Sequence, residues 1–198
     1  MSEFHLVTTG KHSVGDLIKI IESLHTNVDA IHIREKTKSA SELHDLVQQL
    51  GACGVPLSKL IINDRVDVAH VCKVGGVQLA YHSLPVVSIK KMFPNLRIGS
   101  SCHSIDEAIK AEKHGADYVL YGHIFPTQSK PGIQPKGIEE LKLVNKQLTI
   151  PVIAIGGIKP ENTQQVVHSG ASGIAVMSGV FEANNPVDAI KAYASNLG

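Results

Sequence analysis

The chain has 198 residues, 43% apolar and 19% charged, and its 19 Lys and Arg stand against 18 Asp and Glu for a formal charge of +1. That length and apolar share suit one globular domain able to fold without disulfide or metal staples, and the near-balance of charge excludes the basic footprint of a nucleic-acid or anionic-membrane binder. The opening MSEFHLVTTG lacks a signal pattern, no apolar stretch approaches the ~20 residues of a membrane span, and three scattered Cys form no CxxC pair, so a cytoplasmic protein without a zinc site or disulfide framework is expected.

In chain order, a β-rich run over 4–9 is followed by Leu17, Ile18, Ile21 and Leu24 at helical spacing. A second run, over 29–34, precedes Leu43, Leu46, Val47 and Leu50, again one helix face. Further strands are predicted over 60–65, 77–81 and 97–103, and Ser104-Ile-Asp-Glu107 reads as a capping box opening the fifth helix. The sixth strand (118–124) and seventh (152–156) follow, with Lys159-Pro160 placing Pro at a helix start. The last strand spans 174–178, and His114-Gly115 and Ser169-Gly170 read as helix ends stopped by glycine. Eight strand–helix units of about 25 residues predict an α/β fold: a single-domain (β/α)8 TIM barrel over 1–198 with short loops. The alternative is a doubly wound open sheet, although no GxGxxG follows the first strand.

In such a barrel the active site lies at the carboxyl ends of the strands, with phosphate bound after strands seven and eight. Strand two reads Asp29-Ala-Ile-His-Ile-Arg-Glu-Lys36. Alternation puts Ile31 and Ile33 on the helix-facing side and His32, Arg34 and Lys36 toward the barrel mouth, where an anion or internal pairing with Asp64 or Glu35 would satisfy the cations. Asn63-Asp64 at the end of strand three suits a metal, an ion pair with Arg34 or a loop cap. His123 ends strand six beside Gly122, which is read as leaving room for a ligand, and an imidazole there can exchange a proton near neutral pH. The following loop offers Thr127, Ser129 and Lys130 to an oxyanion. Gly156-Gly157 and Ser178-Gly179 can present bare amides to a phosphate, or serve as tight turns alone.

Taken together, His32-Ile-Arg-Glu-Lys36, Ile62-Asn-Asp-Arg65, Ser101-Cys-His-Ser104, Ile124-Phe-Pro-Thr-Gln-Ser-Lys130, the run 151–158 and Val176-Met-Ser-Gly179 resemble the thiamine phosphate synthase superfamily over the whole chain. Three positions depart from the synthase pattern. His32 takes the place of Gln in Gln-x-Arg-x-Lys, His123 replaces Pro in Gly-Pro-Ile-Phe, and Ser83 stands where an Asp helps hold magnesium. A hydroxyl is a poor magnesium ligand. This pattern is similar to the TenI-type branch, the thiazole tautomerases of thiamine biosynthesis, which aromatise a carboxythiazole phosphate tautomer. One proton leaves ring C2 and one is delivered to the exocyclic carbon. The resemblance implies that His123 is the general acid. It implies that Thr127, Ser129, Lys130, Gly157 and Ser178 hold the phosphate, that Arg34 with Lys36 pairs the carboxylate, and that Ser101 contacts the thiazole or its phosphate. No metal and no cofactor is expected, and the expected partner is the small-molecule thiazole phosphate, without direct contact to nucleic acid or membrane. The alternatives are a thiamine phosphate synthase using Asp64 with another magnesium ligand, or a non-catalytic TenI-type regulatory ligand-binding protein. The sequence leaves the oligomeric state open, a homodimer included.

Overall fold

The computed structural model describes residues 2–197. Its strands are β1 (Glu3–Val7), β2 (Ala30–Ile33), β3 (Leu60–Asn63), β4 (Gly76–Leu79), β5 (Arg97–Cys102), β6 (Tyr118–Gly122), β7 (Val152–Ile155) and β8 (Gly173–Val176). All neighbours are parallel, and β1 pairs with β8, Phe4 opposite Ile174, so the sheet closes into a barrel in chain order. This closure excludes the open-sheet alternative. The strands run only 4 to 6 residues, shorter than the apolar runs that announced them.

The helices are α1 (Val14–Leu24), α2 (Ala40–Ala52), α3 (Val66–Val71), α4 (Val86–Met92), α5 (Ile105–Lys113), α6 (Gly137–Gln147), α7 (Pro160–His168), α8 (Ser178–Phe181) and α9 (Pro186–Ala194). Local chemistry sets their ends. Ser13 accepts the Asp16 amide at the start of α1, and Ser39 with Glu42 forms a full capping box on α2. The box expected on α5 forms only by half. Ser104 accepts the Glu107 amide, but the Glu107 carboxylate takes the amide of His103 instead of that of Ser104. The expected faces bury as read, with Leu17, Ile21 and Leu24 on α1 and Leu43, Leu46, Val47 and Leu50 on α2. Ser178 does not end a strand, because β8 stops at Val176 and Ser178 opens the short α8.

Strand alternation divides the buried residues into two layers. Outward-facing Phe4, Leu6, Ile31, Ile33 and Ile62 join the helices in one continuous apolar shell. The inside of the barrel holds a small apolar cluster, Val7, Tyr118, Leu120, Ile153 and Ala175, beside buried His5, His32 and Gln78. Barrel interiors are ordinarily filled by branched apolar side chains, so a polar interior here is a departure that bears on chemistry.

Candidate active site

One cavity of about 840 Å³ opens at the carboxyl ends of the strands. Its wall follows the pleat: Val7 from β1, His32 from β2, Asn63 from β3, Gln78 from β4 and Ser101 from β5 point inward at alternate positions. All nine site residues expected from the sequence line it, namely Arg34, Lys36, Ser101, His123, Thr127, Ser129, Lys130, Gly157 and Ser178. Arg34 is half-buried at the mouth and Lys36 is exposed at the rim.

The cavity is lined by four fixed cations, Arg34, Lys36, Lys130 and Lys159, and by no Asp or Glu. The internal pairings weighed for Arg34 do not form: Glu35 faces Lys38 at 3.9 Å, and Asp64 faces His82 at 3.9 Å. Among the described residues, Arg34 and Lys36 make no ion pair with a carboxylate. Lys130 Nζ meets His103 Nε2 at 3.3 Å. Burial pushes the Lys130 ammonium below its usual range, nearby Lys136 pushes the same way, and Glu107 opposes them. Lys159 faces exposed Glu161 at 3.9 Å, whereas Arg34, Lys36 and Lys130 have no carboxylate partner among the described residues; cations so gathered in a partly desolvated pocket favour an anionic ligand.

His123 is 4% exposed, and its surroundings fix its ring. Its Nε2 lies 3.2 Å from the Ile133 carbonyl, an obligate acceptor, so Nε2 carries a proton. Among the described residues Nδ1 has no hydrogen-bond partner, and His123 lines the cavity. The backbone is held too, since the His123 carbonyl accepts the Lys136 amide at 2.9 Å. Gly122 does not leave room for a ligand as read from the sequence. A Cβ there would lie 2.0 Å from the Ile155 carbonyl, so this glycine admits the neighbouring strand β7. Room for His123 itself comes from Gly156, where a Cβ would stand 2.3 Å from the His123 Cβ.

The groups expected to hold a phosphate also converge. Thr127 Oγ1 accepts the Ser129 amide at 3.3 Å, which curls the loop after β6. Among the described residues, the amides of Gly157, Ser178 and Gly179 donate to no protein acceptor. Gly157 adopts φ +68°, and a Cβ there would lie 2.5 to 2.6 Å from the carbonyls of Pro126 and Phe125. Gly157→Val is therefore expected to break the contact between the two loops, costing about 1–3 kcal/mol in stability as well as ligand affinity. Thermal melting and calorimetric titration with a phosphate ester check this, and wild-type values in both would contradict it.

Among the contributors not assigned to the site from the sequence are Lys159, expected only at a helix start, His103 and Tyr193. His103 was given no site role, yet it lines the cavity, its Nδ1 donates to the Gly122 carbonyl at 2.7 Å, and it supports Lys130. Its position one residue past the end of β5, on the inward alternation from Ser101, was the available signal. Tyr193 reaches in from α9 and donates to the Ile158 carbonyl at 3.0 Å, a long-range contact with no local signal.

Magnesium, implied by the synthase resemblance, does not fit these residues. Asp64 lies outside the cavity lining, in a neighbouring surface pocket with Ser83. Ser83 Oγ accepts the Ala80 amide at 2.8 Å and is thereby a turn cap. Among the described residues no group of three His, Cys, Asp or Glu is placed to hold a metal. Magnesium is ordinarily held by one or two carboxylates together with waters and substrate phosphates, and here the cavity lining offers no carboxylate, with Asp64 outside it and a hydroxyl, Ser83, at the second expected position.

A family model described as thiamine monophosphate synthase matches residues 4–180, and the chain belongs to that family. The chain is 44% identical over 172 residues to a thiamine-phosphate synthase of Chlorobium luteolum, an alignment covering 85% of this chain and 81% of the relative. It is 36% identical over 180 residues to a thiamine-phosphate synthase of Pyrococcus furiosus, covering 90% and 87%. Among solved structures, a thiamine phosphate pyrophosphorylase from Pyrococcus furiosus superposes with a TM-score of 0.84 at 33% identity, covering 98% of this chain and 95% of that one. A 3-hexulose-6-phosphate synthase shares the fold at a TM-score of 0.79 and 15% identity. The named relatives thus bear the name of the alternative expected from the sequence, the synthase, and not that of the tautomerase. No helix among the described residues is long and apolar enough to cross a membrane.

Proposed function

We propose that this family member is a tautomerase that aromatises a carboxythiazole phosphate by metal-free proton transfer. The observation that carries the reading is the cavity lining: four cations, no carboxylate, and a buried imidazole with one open nitrogen. A phosphate ester carries roughly −1.5 to −2 charge near neutrality, which suits Lys130, the hydroxyls of Thr127, Ser129 and Ser178, and the free amides of Gly157 and Gly179. Arg34 and Lys36 lie on the β2 side of the mouth and suit a carboxylate, while Ser101, held at 3.0 Å by Gln78 Nε2, faces the ring between them. His123, carrying a proton on Nδ1 as well as on Nε2, then gives the Nδ1 proton to the exocyclic carbon and is left as the neutral imidazole. Aromaticity supplies the driving force, so the protein has only to lower a proton-transfer barrier.

The names of the relatives favour a second reading, magnesium-dependent coupling of a pyrimidine pyrophosphate to a thiazole phosphate. That reaction neutralises a pyrophosphate leaving group with metal. One assay separates the two. The protein is expected to aromatise the carboxythiazole phosphate at an unchanged rate in EDTA and to give no coupling product with magnesium. Coupling that collapses in EDTA and returns with magnesium would establish the synthase instead. Binding of the ester with neither product would leave a non-catalytic ligand-binding protein.

A further inference from the structure

Aromatisation needs two proton events, loss from one carbon and delivery to another, and the cavity wall described so far supplies one open imidazole nitrogen for both. Beneath the cavity floor lies a second set of imidazoles. Glu3 stands at the amino-terminal end of the barrel, where its side chain is 32% exposed. Its Oε2 lies 2.6 Å from Nε2 of fully buried His5. His5 Nδ1 lies 3.0 Å from Nε2 of His32, itself 1% exposed. His32 lines the cavity, and its Nδ1 is a buried polar atom without a protein partner. The groups packed around this line are Arg97, which pairs with Glu3 at 3.1 Å, Tyr118, whose ring meets both imidazoles edge-on, and uncharged Gln78.

From these contacts we infer that Glu3, His5 and His32 form a proton relay whose inner end, His32 Nδ1, is the second acid–base group of the cavity. The inference rests on the tautomerase reading for its substrate, although the relay itself does not. Hydrogen-bond bookkeeping gives its two states. With Glu3 ionised, His5 Nε2–H donates to the carboxylate, His32 Nε2–H donates to His5 Nδ1, and His32 Nδ1 is a bare, buried acceptor on a residue that lines the cavity. When His32 Nδ1 takes a proton, the proton on its Nε2 passes to His5 Nδ1. His32 stays neutral, and the positive charge appears on His5 against the Glu3 carboxylate.

The physical environment favours that division of labour. Burial, above all, together with the charges of His5 and Arg97, holds a cationic His32 well out of favour. A lone His32 would therefore be a poor resting place for a proton. Glu3 is held as a carboxylate, its pKa lowered to about 2, chiefly by the hydrogen bond from His5 and secondly by Arg97, against the effect of burial. A transferred proton thus finds its counter-charge one residue deeper than the group that first accepts it. Position favours it as well. In the closed eight-strand barrel, β2 and β6 are four staves apart, so His32 on β2 and His123, the first residue past β6, approach a bound ring from opposite walls. The proton lost by ring C2 goes to His32 Nδ1, the imidazolium of His123 delivers its Nδ1 proton to the exocyclic carbon, and the relay returns a proton to His123 through cavity water after product leaves. No proton or electron is gained or lost overall.

Three independent readouts test this. In protein with 15N-labelled histidine, the ring nitrogens of His5 and His32 are expected to shift together through one pH titration, and Glu3→Gln is expected to move both. A His32 spectrum unaffected by Glu3→Gln while His5 responds would overturn the relay. In turnover, His32→Gln is expected to lower kcat by about 10²-fold, and His5→Gln, at a residue outside the cavity, by about 10-fold, both with KM within about threefold. If His5→Gln melts, Glu3→Gln provides the same test at a partly exposed position. Substrate deuterated at ring C2 is expected to yield product with solvent hydrogen on the exocyclic carbon. Deuterium carried over to that carbon would mean that one group moves the proton both ways, and the proposal would fall. Wild-type protein that aromatises nothing would defeat the tautomerase reading, with the spectra still deciding the relay.

Discussion

Replacing His123 with Gln is expected to lower kcat for aromatisation by at least ~10²-fold while leaving the affinity for a thiazole phosphate within a few-fold of wild type. The split follows from the two ring nitrogens. A Gln amide can still donate to the Ile133 carbonyl, the contact that His123 Nε2 makes at 3.2 Å, so the loop over the cavity keeps its anchor. What disappears is Nδ1, the atom without a protein partner and the one able to carry a proton to carbon. The groups proposed to hold the phosphate, Lys130 and the amides after β7 and β8, are untouched. His103→Gln is the informative control. His103 also lines the cavity, but its Nδ1 is committed to the Gly122 carbonyl at 2.7 Å and its Nε2 faces Lys130 at 3.3 Å. Its loss is expected to appear mainly in KM. A larger fall in kcat for His103→Gln than for His123→Gln would transfer the general-acid role to the other imidazole. Steady-state kinetics with calorimetric binding decides it.

The fold was legible because its signals are local and repeated. Ser39 and Glu42, the Leu17–Leu24 face and the Pro160 helix start each act within a few residues, and eight repeats of one unit leave little besides a closed barrel. The positions that line the cavity were legible for a related reason: strand alternation and the family pattern both place them at or just after strand ends. What could not be read is long-range or depends on distances between strands. Gly122 looked like space for a ligand, yet the missing Cβ is taken up by Ile155 on the next strand, more than thirty residues away. Glu107 completes a capping-box sequence but spends its carboxylate on His103. The Glu3–His5–His32 line joins two strands through the barrel interior, and no spacing within either strand announces it. The absence of carboxylates from the cavity also needed the structure. Asp64 follows directly on Asn63 in sequence, but at φ +67° its backbone turns, and only Asn63 joins the lining.

The two ends of the cavity are expected to report on different parts of one ligand. Lys130→Ala removes an ammonium from the loop beside Thr127 and Ser129, whereas Arg34→Ala removes a guanidinium from the far side of the mouth, at the end of β2. Hydrogen bonds to charged groups contribute roughly 1.5–3 kcal/mol, so each substitution is expected to weaken binding of the carboxythiazole phosphate by about 10- to 10²-fold. The discriminating measurement repeats both titrations with a thiazole phosphate that lacks the carboxylate. Lys130→Ala should weaken the two ligands alike, because both carry the phosphate. Arg34→Ala should weaken only the carboxylated one, because its partner is missing from the other. Stability is a minor concern in either case. Arg34 makes no ion pair with a carboxylate among the described residues, and Lys130 is a loop residue whose ammonium contacts only His103 there. Equal losses on both ligands for both variants would show a single diffuse anion site, with charge drawing the ligand in but not orienting it. A selective loss for Arg34→Ala would instead fix the ligand's direction in the barrel, phosphate toward β7 and β8 and carboxylate toward β2, which leaves the ring carbons between His32 and His123.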